Sequence, residues 1–112
     1  MTTERRRRRS EKHHEALTLF FENVAQRLGL DALALTTDDG RLIAGARRDA
    51  SVDLDVDWMG NVGASKQLAE VPFEDRTLYV RRLSVNDVFL YLTSAGRKTD
   101  RSIDDSIRRI LA

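Results

Sequence analysis

Aspartates supply the most conspicuous chemistry in this chain. Asp38 and Asp39 are adjacent, and two close carboxylates can bind a cation or divide the acid and base roles of a hydrolytic site. Gly40 follows them, and Asp and Gly both tolerate positive φ, so the structural reading of Thr37-Asp38-Asp39-Gly40 is a tight turn. The turn is the expectation. Asp53, Asp55 and Asp57 alternate with Val52, Leu54 and Val56, which resembles the opening of a calcium loop. The glycine after the third ligand position and the distant glutamate are missing, so a lead-in to a helix is expected, with Asp57 or Asp55 as its N-cap. His13 and His14 are neighbours and lack the i, i+4 spacing that brings two imidazoles to one metal, so surface histidines are expected. The stretch Gly60-Asn61-Val62-Gly63-Ala64-Ser65 suggests a phosphate cradle but lacks the lysine and spacing of a P-loop.

Arginines form the second group. Arg5, Arg6, Arg7, Arg8 and Arg9 are consecutive. Residues 1–15 carry six Lys/Arg against three acids, whereas the rest of the chain carries thirteen against fifteen. The basicity therefore belongs to a tail, residues 1–10, where mutual repulsion predicts disorder or a frayed helical extension. Such a run either solvates the chain or makes an electrostatic contact with nucleic acid, an anionic membrane or an acidic partner. No aromatic residue is interleaved with it, so base stacking has no support.

The elements that must position these residues follow from periodicity. The chain has 112 residues, 41% hydrophobic and 33% charged, which suits one globular domain over 11–112 with one modest core. No cysteine is present, which excludes disulfides and thiolate chemistry and fits a cytoplasmic location. Leu17, Phe20, Phe21, Val24 and Leu28 recur at helical steps and predict a first helix over 11–28, closed by Gly29. Ala32 to Thr36 is apolar on both faces, as an interior strand is, and Leu42 to Ala46 returns as its partner. A second helix is predicted over Asp57–Ala69, with Trp58, Met59, Val62 and Leu68 apolar. Gly60 and Gly63 cost it about 1 kcal/mol each relative to alanine unless another element approaches closely. Val71-Pro72-Phe73 reads as an edge strand, because proline lacks an N–H. In Thr77 to Val85 the apolar parity slips around Arg81-Arg82, which predicts a bulge. Asn86-Asp87 is a two-residue hairpin turn, and Val88 to Thr93 is apolar throughout and predicted central. Ser102 and Asp105 suggest a capping box ahead of a last helix buried through Ile103, Ile107, Ile110 and Leu111.

The predicted fold is α+β: α-β-β-α-β-β-β-α, a five-stranded antiparallel sheet with helices on both faces. That order resembles the Roadblock/LC7 family, of profilin-like architecture. The resemblance is carried by QRLGLDALALTTDDGRLIAGA, then a loop and a small-residue helix, then RTLYVRRLSVNDVFLYLTSAG and a short final helix. It covers about Leu17 to Leu111, and its departures are Pro72, the two helix glycines and the arginine tail. Family members are non-catalytic partners of small Ras-like GTPases or adaptors in larger complexes. The bacterial type is a dimeric co-regulator that promotes hydrolysis by repositioning the GTPase's own residues.

The resemblance implies no enzyme activity, no cofactor, no metal and no small-molecule substrate. It implies a homodimer built from second helices and third strands, with Trp58, Met59, Val62, Gly63, Lys66, Val71 and Phe73 at the interface. An arginine offered in trans to a GTPase would come from Arg47, Arg48, Arg81 or Arg82, whose structural reading is solvated charge. A small-ligand sensor of GAF or PAS type is the alternative, because it shares helices packed on an antiparallel sheet.

Overall fold

A computed structural model describes the side chains of residues 11–112 and, before them, the backbone alone from Thr2. The expected contact through Arg5, Arg6, Arg7, Arg8 and Arg9 lies outside the described residues. The elements are α1 (Thr2–Leu28), β1 (Ala32–Thr37), β2 (Leu42–Arg47), α2 (Val56–Lys66), β3 (Glu70–Phe73), β4 (Arg76–Val85), β5 (Val88–Ala95) and α3 (Ser102–Leu111). This is the predicted order. The strands form one antiparallel sheet in the order β2-β1-β5-β4-β3. The apolar β5 is central, and Pro72 sits on the edge strand β3, both as the sequence predicts.

Alternation along the strands sorts side chains into two apolar clusters. Leu33 and Leu35 of β1 join Leu17, Phe21 and Val24 of α1 and Ile103 and Ile107 of α3. Ala32 and Ala34 join Met59 of α2, with Val71, Phe73 and Leu78. The alanines leave room for α2 to come close. A Cβ on Gly60 would lie 2.7 Å from Thr36 Cγ2 and 3.0 Å from Ala34 Cβ, and one on Gly63 would collide with Thr93. The two glycines are therefore required by packing against β1 and β5.

Several helix and strand details differ from expectation. Gly29 adopts φ +69° and ends α1, and the Leu30 N–H donates to Ala25 O at 2.9 Å. That reversal buries Leu30 completely and leaves Leu28, expected on the buried face, 37% exposed. The helix α2 begins at Val56, one residue before the predicted Asp57, because Asp55, one of the two expected caps, accepts the Trp58 N–H on Oδ1 at 3.1 Å. It stops at Lys66, short of Ala69, because Gln67 turns left-handed (φ 53°) and donates its N–H to Gly63 O at 3.1 Å. Leu68 thus falls outside the helix. Ser102 is not a cap: Asp100 Oδ1 accepts the Ser102 N–H at 3.2 Å, and Asp105 pairs with Arg108 at 3.2 Å.

The bulge predicted at Arg81-Arg82 is absent, since β4 pairs with β5 without a break from Leu78↔Ala95 to Val85↔Val88. The strand instead changes which side it buries. Leu78 and Val80 pack in the α2 cluster, while Leu83 and Val85 pack in the α1–α3 cluster. The bulge of this sheet lies between β1 and β2, where Leu35 faces Ala44 and Thr36 faces Leu42, leaving Ile43 as the extra residue. The freed Ile43 carbonyl lies 3.0 Å from His14 Nδ1 of α1, which donates to it.

Two substitutions test this packing. Gly63→Ala is expected to destabilise the fold by about 1–3 kcal/mol, because the clash with Thr93 outweighs a helix-propensity gain of about 1 kcal/mol. The urea midpoint reads this. In the β4–β5 turn Asn86 (φ 51°) and Asp87 (φ 64°) are both left-handed. Asp87→Gly should therefore stabilise by about 0.5 kcal/mol, seen as a rise in Tm.

Candidate interaction surface

Of the adjacent carboxylates that invite a catalytic reading, Asp39 is tied into the turn. The Thr37 hydroxyl donates to Asp39 Oδ1 and accepts the Arg41 N–H at 3.1 Å, while the Gly40 N–H donates to Thr37 O at 3.1 Å. The Thr37 hydroxyl holds the Asp39 carboxyl below the usual carboxylate range. The Ser51 hydroxyl, with the Ser51 N–H, does the same for Asp49. A general acid needs the opposite shift. Asp55 caps α2. Among the described residues no group of three or more His, Cys, Asp or Glu is arranged to hold a metal. Gly60 and Gly63 face the sheet and so offer no cradle to a phosphate.

The candidate arginines divide by their contacts. Arg47 Nη1 donates to Val52 O at 3.1 Å, and Arg48 lies 3.5 Å from both Asp31 and Asp49. Arg81 donates to Thr99 O at 2.7 Å and pairs with Asp104 at 2.6 Å. Asp104, only 6% exposed, was not foreseen from the sequence. Its position beside Ile103 and three before Ile107 is the signal that places it on the buried side of α3. Arg82 is exposed, with its guanidinium 4.4 Å from the centre of the Phe89 ring and no carboxylate partner among the described residues.

The surface expected at α2 and β3 resolves into two layers. Met59, Gly63, Val71 and Phe73 are buried within the chain, and Val62 is partly buried. The outer layer is Trp58, at 57% exposure, with Lys66 farther along the helix and Leu68, at 58%, just past its end. The outward position of Trp58 follows from the cap and the glycines. Asp55 fixes the first turn, Gly60 and Gly63 must face the sheet, and Trp58 is left on the far side of the helix.

Beside this helix runs the open edge of β3. The Val80 N–H donates to Ala69 O at 3.0 Å, so even-numbered residues of β4 turn their backbone groups toward β3. In the register Val71↔Leu78 and Pro72↔Thr77, Val71 then faces β4 while Glu70 and Pro72 face outward. Proline costs this hairpin nothing, because its missing N–H would have pointed to solvent. It removes one donor from the edge that a second strand would meet.

No known protein family matches this chain in sequence, and neither does any curated protein.

The turn reading has a direct check. Thr37→Val removes the hydroxyl and should raise the Asp39 carboxyl toward its ordinary value in an NMR pH titration. The lowered pKa contributes stability above the unfolded-state value, and that contribution disappears as pH falls through the folded value. Thr37→Val should therefore flatten the acid limb of the stability curve.

Proposed function

We propose that the chain is a non-catalytic interaction module that pairs with a second copy of itself across α2 and β3 and regulates or scaffolds a small Ras-like GTPase. One observation carries the self-association: Trp58 and Leu68, both more than half exposed, flank an edge strand whose outward backbone groups have no strand partner among the described residues. Exposed large apolar side chains beside an open edge are costly to leave in water and mark an interaction site. The GTPase assignment rests on the Roadblock/LC7 resemblance, which the element order and the edge position of β3 support. Such a module needs no catalytic group of its own, which agrees with Asp39 held in a turn and Asp55 spent on a helix cap. The reading places the chain in the cytoplasm. No helix among the described residues is long and apolar enough to cross a membrane.

The position of Pro72 bears on how such a pair would be held. With Pro72 outward, a β3–β3 ladder would lose the Pro72 donor on each side, so α2 must carry most of the association through Trp58. Light scattering on the purified chain should give twice the monomer mass at micromolar concentration. Trp58→Glu should shift it to monomer without unfolding, since Trp58 is exposed. Pro72→Val should tighten the pair at least about fivefold by restoring one edge hydrogen bond per copy. GTPases of the host, loaded with GDP or a GTP analogue, should be retained by the immobilised chain in one nucleotide state more than the other. A monomer that retains no GTPase in either state would sink the proposal.

A further inference from the structure

A second open edge lies one strand inward from β3. The strand β3 covers β4 only along Arg76 to Tyr79, with Ala69 meeting Val80 just beyond. Alternation then turns the backbone groups of Arg82 and Ser84 toward the side that β3 has vacated. Arg108 Nε donates to Ser84 O at 2.9 Å and so occupies one of these groups. The Arg82 N–H, the Arg82 carbonyl and the Ser84 N–H have no strand partner among the described residues. Both residues are exposed.

Beside this edge is an open groove of about 520 Å³ that wraps around it, with Arg81, Arg101, Asp104, Asp105 and Arg108 on the α3 side of the sheet and Arg82, Ser84 and Phe89 on the other. Its charge is lopsided. Arg81, Arg82, Arg101 and Arg108 line it against only Asp104 and Asp105. The two carboxylates are already engaged, Asp104 by Arg81 at 2.6 Å and Asp105 by Arg108 at 3.2 Å. Arg82 and Arg101 are left without a carboxylate among the described residues, and Arg81 Nε is buried with no acceptor. Phe89, 50% exposed, holds the Arg82 guanidinium over its ring and adds apolar surface to the rim.

We propose that the Arg82–Ser84 edge of β4 and the arginine-lined groove beside it bind an extended acidic segment of a partner protein as an added strand. The free backbone donors and acceptor repeat at the spacing of a peptide strand, which favours a polypeptide over a nucleic acid. The unpaired guanidiniums select carboxylates. A second copy of this chain is a poor occupant, because pairing two such edges would set Arg82 and Arg101 against their own counterparts. The site does not depend on the α2–β3 pairing and stands if the chain is a monomer.

The test uses a fluorescein-labelled decapeptide of alternating glutamate and valine. A lysine–valine peptide and a single-stranded oligodeoxythymidylate of equal negative charge serve as comparisons. Fluorescence anisotropy should show saturable binding of the acidic peptide and none of the lysine peptide. Arg82→Glu should weaken it at least about tenfold, since it replaces the unpaired cation. Ser84→Pro should weaken it about tenfold by removing an outward N–H while leaving the β4–β5 ladder whole. Arg27→Glu, on the exposed side of α1, should leave binding unchanged. Amide hydrogen exchange of the unmutated chain gives an independent readout: the Arg82 and Ser84 amides should slow when the peptide is added. The proposal is overturned if the acidic peptide does not bind at millimolar concentration, or if the oligonucleotide binds as well. It is equally overturned if those two amides exchange at the same rate with and without peptide, which would reduce the groove to a general charge patch.

Discussion

The close seating of α2 on the sheet is the contact from which most other features follow. It requires small residues on both sides, Gly60 and Gly63 in the helix and Ala34, Thr36 and Thr93 beneath. The helix is pinned at its ends by the Asp55 cap and the left-handed Gln67. Its buried residues are Met59, Gly60, Gly63 and Ala64, so it buries one large apolar side chain. That burial contributes about 1.5–3 kcal/mol, a modest hold for an eleven-residue helix. The consequence is geometric as well as energetic. With glycines on the inner face, Val56 and Val62 are only partly buried at its margins, and Trp58 is left outward.

The same sheet shows how an apolar strand can serve two cores. The buried parity of β4 changes midway because α2 packs beside its first half, while its second half turns Leu83 and Val85 into the cluster that α3 covers. The change falls at Arg81 and Arg82. Each arginine then lies on the side that its half of the strand does not bury. Arg81 turns toward α3 and meets Asp104, a carboxylate too buried to go unpaired. Arg82 turns to the other side, past the reach of α2, and rests on Phe89. The edges are managed differently. At β2 the bulged Ile43 carbonyl is covered by His14, at β3 proline removes a donor, and at β4 a single carbonyl is covered by Arg108.

Much of this was readable in the sequence wherever the signal is local. The doubly apolar β1, the Asp38-Asp39-Gly40 and Asn86-Asp87 turns, the closure at Gly29 and the isoleucine face of α3 each depend on neighbours within a few residues. The misreadings have a shared cause. The slip in β4 imitates a bulge because sequence parity cannot tell an inserted residue from a change of covering helix. The true bulge at Ile43 interrupts no apolar pattern. Ser102 and Asp105 have nearly the capping-box spacing, yet Asp100 is the residue whose side chain reaches the helix start. Around α2, apolarity alone could not separate Met59, which is buried, from Trp58, which is its neighbour and exposed. Only the docking of the glycines decides between them. Asp104 was missed because its partner, Arg81, is 23 residues away in the chain.

The two open edges stand side by side, and that has a thermodynamic consequence. The strand β3 is four residues long against ten in β4, so one side of the sheet presents a short outer step and, beyond its end, an inner one. A second copy seated on β3 and an extended segment seated on β4 would lie about one strand spacing apart, roughly 4.8 Å in the pairing direction. Occupants that close either touch or exclude one another. Whichever sign the interaction takes, it must be reciprocal: a segment on β4 that loosens the pair is itself held less tightly by the pair, and one that tightens it is held more tightly. A short β3 beside a long β4 thus gives the proposed pairing and the proposed bound segment a physical route by which each would influence the other.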